Sequence, residues 1–265
     1  MRTDISVIMA AHNSERTIRE SVNSVLKYLP QGGELLIFND GSTDRTGSIL
    51  DSYTDNRIKV FSSMTRVGRS EARNTLAQEG RHQWLAIVDS DDIALPGRFH
   101  LSRSDLEHSV VASTALIKFE GWSNVQIPQL PIALNSPLVL SALTSVNPIV
   151  HSSVLMKKES FIRAGGYLNV ESEDYNLWLR MANNRESFRR RAIPSVIYRV
   201  HQSQVTRSNQ YIENRMDALT LDLCRELTQR LGPAALLYFD SWKGRIETRG
   251  FSGLRSLIKR ILDLK

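Results

Sequence analysis

The chain of 265 residues is 41% hydrophobic and 23% charged, an ordinary globular composition able to bury a core. No apolar run nears the ~18 residues that cross a bilayer, the stretch after Asp4 is too short for a signal peptide, and the lone Cys224 excludes an intramolecular disulfide; together these features predict a cytoplasmic protein. The net charge of +6 gathers in residues 188–207 and 243–265, with no RNP-like aromatics, zinc-finger spacing or arginine-rich arm to argue for nucleic acid.

In chain order, "ISVIMAA" (5–11) is a continuous apolar run of the kind a strand buried on both faces shows. Asn13 and Ser14 are cap candidates for a helix carrying Ile18, Val22, Val25 and Leu29 at helical spacing. "ELLIF" (34–38) is the next strand, and "DGSTDRTGSIL" turns into a helix with Ser42, Thr43 and Asp44 as cap candidates. A strand "IKVFS" (58–62), a helix through "VGRSEARNTLAQEG" (67–80) and a strand "WLAIVD" (84–89) follow. Strands alternating with helices mean βαβ units, hence an α/β fold with a mostly parallel sheet covered on both faces. The second half is less regular. It offers strands at "STALIKFEGW" (113–122) and "SSVLMKK" (152–158), with a proline-punctuated, loop-rich segment between them. A helix at "SEDYNLWLRMANN" (172–184) and a strand at "RAIPSVIYRV" (191–200), edged by Pro194, come next. From about residue 209 the pattern is helical to the end.

In an open α/β sheet, ligands sit beyond the carboxyl ends of the strands. There the chain places "AHNSE", "NDGSTD" and "DSDD". Each alone is ordinary turn and cap chemistry; three such loops, at the ends of the first, second and fourth strands, predict one acidic, polar crevice. Neither G-x-G-x-x-G nor G-x-x-x-x-G-K-[ST] occurs, which argues against a dinucleotide dehydrogenase and a P-loop enzyme. Carboxylates in that crevice suit a nucleobase N–H, ribose hydroxyls and a hard divalent cation. Asp89 and Asp91, crowded at one strand end, ask for a counter-charge, and a metal between one of them and a diphosphate would supply it.

The motifs in this order resemble the family 2 glycosyltransferases of the GT-A fold, inverting enzymes that use a nucleotide-diphosphate sugar. "NDGSTDRT" is similar to that family's Asp-Gly-Ser-Thr-Asp stretch, "GRSEARN" to its Gly-x-x-x-Ala-Arg-Asn stretch, and "DSDDIALPGR" to its Asp-x-Asp metal motif with the following Pro and Arg. The segment from "NPIVHSSV" to "ESEDYNLWLRM" is similar to its acceptor side. The resemblance implies a Rossmann-like central sheet flanked by helices. It further implies that Ala11, His12, Asn13 and Glu15 border a uridine, that Asp40 accepts from the uracil imide N–H, and that Arg73 lies near the base and diphosphate. Asp89 would touch the ribose or the metal's water shell, Ser90 would line the site, and Asp91 would ligate Mn²⁺ or Mg²⁺. His201 would be a late histidine on the metal or diphosphate.

The reaction also needs a base to take the acceptor proton. The family's Glu-Asp motif falls on Glu173 and Asp174. At about 100° per residue Asp174 continues the stripe of Leu177, Trp178 and Met181, while Glu173 is turned about 100° away. Two acids after Ser172 would also complement a helix dipole. Asp174 is the predicted base and Glu173 the neighbour that shapes or shares its role. His151 is a candidate for the acceptor side or for the core, and Trp178 reads as core.

The expected organisation is a GT-A domain over 1–208, with a nucleotide-binding half (1–100) and an acceptor-side half (101–208), and a helical extension over 209–265. In that extension Leu254, Leu257, Ile258 and Ile261 form a stripe beside Arg255, Lys259 and Arg260. The pattern fits either a basic helix resting on an anionic membrane or a helix packed on protein. The expected activity is transfer from a UDP-sugar to a glycan or glycolipid acceptor in bacterial polysaccharide, lipopolysaccharide or capsule assembly. Two other readings compete. A sugar nucleotidyltransferase would want a glycine-rich loop after the first strand, and "AAHNSERT" has no glycine. A non-catalytic nucleotide-sugar-binding protein is opposed by the intact Asp89, Asp91 and Asp174.

Overall fold

The computed structural model describes residues 4–119, 126–200 and 217–233. Strands β1 (Ile5–Ala11), β2 (Glu34–Asp40), β3 (Ile58–Ser63) and β4 (Trp84–Ile87) pair in parallel in the order β3-β2-β1-β4. Helices α1 (Ile18–Tyr28), α2 (Thr46–Asp51) and α3 (Arg69–Glu79) lie in the connections between them. Side chains alternate across this sheet. Val7, Met9, Leu35 and Ile37 join Ile18, Val22 and Val25 of α1 in one core layer. Ile8, Leu36 and Phe38 join Ala72 and Leu76 of α3 in the other. Both faces are therefore dry, which is why these strands read as unbroken apolar runs.

Beyond β4 the sheet continues with β5 (Ile93–Ala94), β6 (Val110–Phe119), β7 (Gln126–Pro128), β8 (Leu155–Lys157) and β9 (Phe188–Val200). The order runs β4-β8-β6-β9-β5, with β7 on β6. Here the pairing is mixed: β6 and β9 are parallel, while β8, β7 and β5 are antiparallel to their neighbours. Helices α4 (Ser136–Leu143), α5 (Lys158–Arg163), α6 (Glu173–Asn183) and α7 (Ala218–Leu231) complete the described fold. Among the described residues no helix is long and apolar enough to cross a membrane. His201 and the 254–261 stripe lie outside the described residues.

Several sequence expectations are corrected. The proline-punctuated segment contains α4: Asn135 caps it by accepting from the Leu138 N–H at 3.2 Å, and Pro137 sits in the first turn, where a missing N–H costs nothing. Only Leu155–Lys157 of the expected 152–158 strand pairs with neighbours, because His151–Ser153 coil into a 3₁₀ turn. Asn13 and Ser14 do not cap α1, which begins after Thr17 without a side-chain cap. Asp44 does serve the start of α2, its Oδ1 accepting from the Thr46 N–H at 2.9 Å, whereas Ser42 turns to the backbone of Asn13.

Helix α7 docks on α6. Its Leu227 is fully buried with Cys224 in the α3-side core, and Asn176 reaches the Thr220 hydroxyl at 3.1 Å. Leu227→Ala is expected to lower unfolding stability by about 2–5 kcal/mol, read by denaturant titration. A loss too small to measure would mean that α7 rests on the core without completing it.

The position of the crevice follows from the topology. The chain fills β2 and β3 on one side of β1 and then crosses to β4 on the other, so the switch point falls between β1 and β4. The carboxyl ends of those two strands carry His12–Asn13 and Asp89–Asp92.

Candidate active site

The loops after β1 and β2 are knitted to one another. Asn13, in the left-handed region at φ 48°, accepts from the Thr43 N–H at 2.9 Å. His12 Nδ1 donates to the Asp40 carbonyl at 2.6 Å. Glu15 Oε2 accepts from the backbone and side chain of Arg45, both at 3.1 Å. Those bonds to Arg45 hold the partly exposed Glu15 carboxyl below its ordinary value. Ala11 is buried at the end of β1. Asp40 accepts from the Val67 and Gly68 N–H groups at 2.6 and 3.0 Å, so it also shapes the loop entering α3. That approach requires glycine at 41: φ is +61°, and a Cβ there would come within 2.7 Å of the Arg66 nitrogen.

Across the switch point, three side chains converge on Asp89. Arg73 Nη2 donates to its Oδ1 at 2.7 Å, while His151 Nδ1 and the Ser152 hydroxyl meet its Oδ2 at 3.1 and 2.8 Å. Burial alone would raise its proton affinity. His151 and Arg73 outweigh burial and hold the carboxyl well below the usual range. Ser152 also bonds Asp92, whose other oxygen accepts from the Arg199 N–H at 3.0 Å. Burial, and then the charges of Asp91 and Asp89, push Asp92 well above the ordinary carboxylate value. Ser90 meets Ser14 at 2.8 Å, tying this loop to the one after β1.

Beneath the acids lies Arg98, with no measurable exposure. Its Nη2 donates to the carbonyls of Ile87 and Val154 at 2.7 and 2.9 Å, and its Nε to that of Ser152 at 3.1 Å. It thus fastens the end of β4 to the 151–154 turn. Burial pulls its guanidinium down to about 9.

The second acid system lies at the start of α6. Glu173 is 7% exposed and is clasped by Arg73 Nη1 at 2.8 Å and Arg69 Nη2 at 2.7 Å. It is therefore not turned away from the crevice. The helical-wheel reading had no means of knowing that α3 flanks that side. Arg73 consequently bridges Asp89 and Glu173. Burial works against its charge, and the two carboxylates more than offset it. Asp174 is half-buried, with Asn147 Nδ2 at 3.0 Å from one oxygen. Burial, and then the neighbouring Glu173 charge, raise its proton affinity above the ordinary value. Ser172 holds the N-cap position without a side-chain cap bond. Trp178 is fully buried in the core.

Sequence reasoning passed over Arg69, Asp92, Asn147, Ser152 and Tyr167, whose hydroxyl meets His151 Nε2 at 3.0 Å. Arg69 and Arg73 carried a signal, being one helical turn apart on one face. Asp92 carried one too, as the third acid of its cluster. Ser152 and Tyr167 carried none.

The profile of Glycosyl transferase family 2 matches residues 6–161, more than half of the chain. The chain belongs to that family, and its fold is of the GT-A type. The O-antigen biosynthesis glycosyltransferase WbnJ of Escherichia coli is 29% identical over 216 residues, covering 77% of this chain and 82% of that one. The UDP-Glc:alpha-D-GlcNAc-diphosphoundecaprenol beta-1,3-glucosyltransferase WfgD of Escherichia coli is 26% identical over 221 residues, covering 79% and 81%. Among solved structures, S. aureus TarS 1–349 in complex with UDP-GlcNAc has a TM-score of 0.66 over 94% of this chain and 75% of that one, at 19% identity. That likeness extends to the fold.

Proposed function

We propose that the protein transfers a sugar, with inversion, from a UDP-sugar to a glycan or glycolipid acceptor in bacterial polysaccharide, lipopolysaccharide or capsule assembly. The observation that carries this reading is the arginine bridge: Arg73 joins the strand-end acid Asp89 to Glu173, next to Asp174, so donor-side and acceptor-side carboxylates meet in one crevice. The UDP-Glc donor and diphosphoundecaprenol-linked acceptor of WfgD, and the UDP-GlcNAc held by TarS, support the choice of donor and acceptor class. In this reading residues 1–100 hold the nucleotide, 101–208 face the acceptor, and 209–265 are an extension.

Asp174 takes the proton of the acceptor hydroxyl as its oxygen attacks the anomeric carbon from the face opposite UDP; the bond to the diphosphate oxygen breaks and UDP leaves. Its raised proton affinity suits that task, since a stronger base accepts the proton more readily. Glu173, clasped by Arg69 and Arg73, fixes the start of α6. On the donor side Ala11, His12, Asn13, Glu15 and Ser90 border the nucleotide. The Asp40 oxygens, each already accepting one backbone N–H, retain lone pairs for the uracil imide.

The donor chemistry of the Asp89–Asp92 run fits a divalent cation. Its carboxylates are hard oxygen ligands, and the repulsion from Asp91 and Asp89 that adds to burial in raising Asp92 is what a cation relieves. Among the described residues no three His, Cys, Asp or Glu side chains form a ready-made metal cage. Mg²⁺ or Mn²⁺ held by Asp91 and Asp89 would complete its shell with diphosphate oxygens and water. Such an ion would stabilise the charge gathering on the departing diphosphate.

The test is UDP release across a panel of UDP-, GDP- and dTDP-sugars with Mn²⁺ present. Turnover confined to one or a few UDP-sugars is expected. Turnover with none, or only with a GDP- or dTDP-sugar, rejects the reading.

A further inference from the structure

The segment 167–173 leads into α6, and one face of α3 holds it at successive points. Asn74 takes both backbone groups of Tyr167: its Oδ1 accepts from the N–H at 2.8 Å, and its Nδ2 donates to the carbonyl at 2.9 Å. Ser70 donates to the Leu168 carbonyl at 2.9 Å. Arg69 donates to the Glu171 carbonyl at 2.6 Å and pairs with Glu173 at 2.7 Å. Arg73 completes the row at Glu173. Positions 69, 70, 73 and 74 share one helical face, so a single rigid element is the template for the whole run.

Asn74 makes the strictest of these contacts. A side-chain amide that both accepts and donates to one residue's backbone mimics a strand pairing, and it fixes orientation as well as distance. The chain makes room for it at Gly166, where φ is +66° and a Cβ would lie 2.7 Å from Asn74 Oδ1. The Tyr167 ring so placed stacks beside Arg73, whose guanidinium carbon is 5.5 Å from the ring centre, and its hydroxyl meets His151, which in turn meets Asp89.

We propose that Asn74 is a positioning residue for transfer: by clamping the backbone of Tyr167 it sets His151 against Asp89 and fixes the run that delivers Glu173 and Asp174. It acts through Tyr167 and touches no substrate itself. The inference rests on the reading of the crevice as a UDP-sugar transfer site.

The experiment uses the full chain with the UDP-sugar found by the release screen, comparing wild type with Asn74→Ala and Asn74→Asp. The expected result is a kcat lower by about 10²-fold, the scale on which small misplacements act, with KM for the UDP-sugar within about 2-fold. Asn74→Asp keeps size and one acceptor but turns a second oxygen toward the Tyr167 carbonyl, so it is expected to do no better than alanine. The remote variant Leu227→Ala shows what stability loss alone does, and its kcat per folded molecule is expected to stay normal. If Asn74→Ala does not accumulate as folded protein, Gly166→Ala displaces the same amide with asparagine retained, and the same split of kcat from KM is expected. Folded Asn74→Asp with near-normal kcat overturns the proposal, as does a fall in kcat that merely tracks the folded fraction. A wild type inactive on every UDP-sugar overturns the underlying function, a result distinct from either.

Discussion

Replacing Asp174 by asparagine is expected to lower transfer by roughly 10²–10⁴-fold, the range for loss of a general base, while UDP affinity stays within about 2-fold. The variant keeps size and can still meet Asn147, so the loss isolates proton-accepting power. Glu173→Gln has a different signature. It removes the charge that faces Arg69 and Arg73, leaving the buried Arg73 with Asp89 alone and the partly exposed Arg69 without its carboxylate, so its first effect falls on stability and on the placement of α6. The pH dependence separates the two roles. Only ionised Asp174 can accept a proton. Because burial and Glu173 raise its affinity above the ordinary carboxylate value, turnover is expected to climb as pH rises through that displaced titration. In Asp174→Asn that acid limb should disappear from the residual rate. A folded Asp174→Asn enzyme with near-normal turnover and an unchanged acid limb would show that another group is the base.

Chelation is expected to abolish transfer, with Mn²⁺ or Mg²⁺ restoring it, and Asp91→Asn is expected to cost on the order of 10²–10³-fold, the scale for losing a preorganised electrostatic partner of developing charge. Here the binding readout should move as well. The metal-dependent part of UDP affinity should vanish in Asp91→Asn, whereas Asp174→Asn leaves it alone. Asp89→Asn should be harsher on the fold, since Arg73, His151 and Ser152 all converge on that carboxylate. Full activity in excess chelator would sink the metal assignment, and unchanged metal-dependent UDP binding in Asp91→Asn would move it to another ligand.

What was legible in the sequence divides along the chain. Strands β1, β2 and β4 were readable because both of their faces are covered, so apolar runs announced them and the acids that followed marked the crevice. Asp89, Glu173 and Arg73 could each be named as site residues, yet their meeting could not. Residues one hundred positions apart share no local pattern. Helix α4 escaped notice because its start signal, Asn135-Ser136-Pro137, stands among other prolines that read as loop. Helix α5, six residues long, is too short to display a period. Ser152 and Ser153 read as strand because they run straight into the apolar Val154-Leu155-Met156, and only the pairing of β8 with β4 and β6 shows where the strand begins.

The bridge made by Arg73 has a consequence for the order of assembly. During synthesis the chain emerges from its first residue, and domains tend to fold as their segments become available. When the parallel half of the sheet has emerged, Arg73 can meet Asp89, sixteen residues away, while Glu173 has yet to be made. The β-pairings that bring residues 151–199 against this half are also non-local, and such contacts form slowly because a long loop must close before they are rewarded. The crevice is therefore finished last. A nascent chain would hold its first half with one arginine only half satisfied, and the crevice closes only when the segment bearing Glu173 and Asp174 docks against α3.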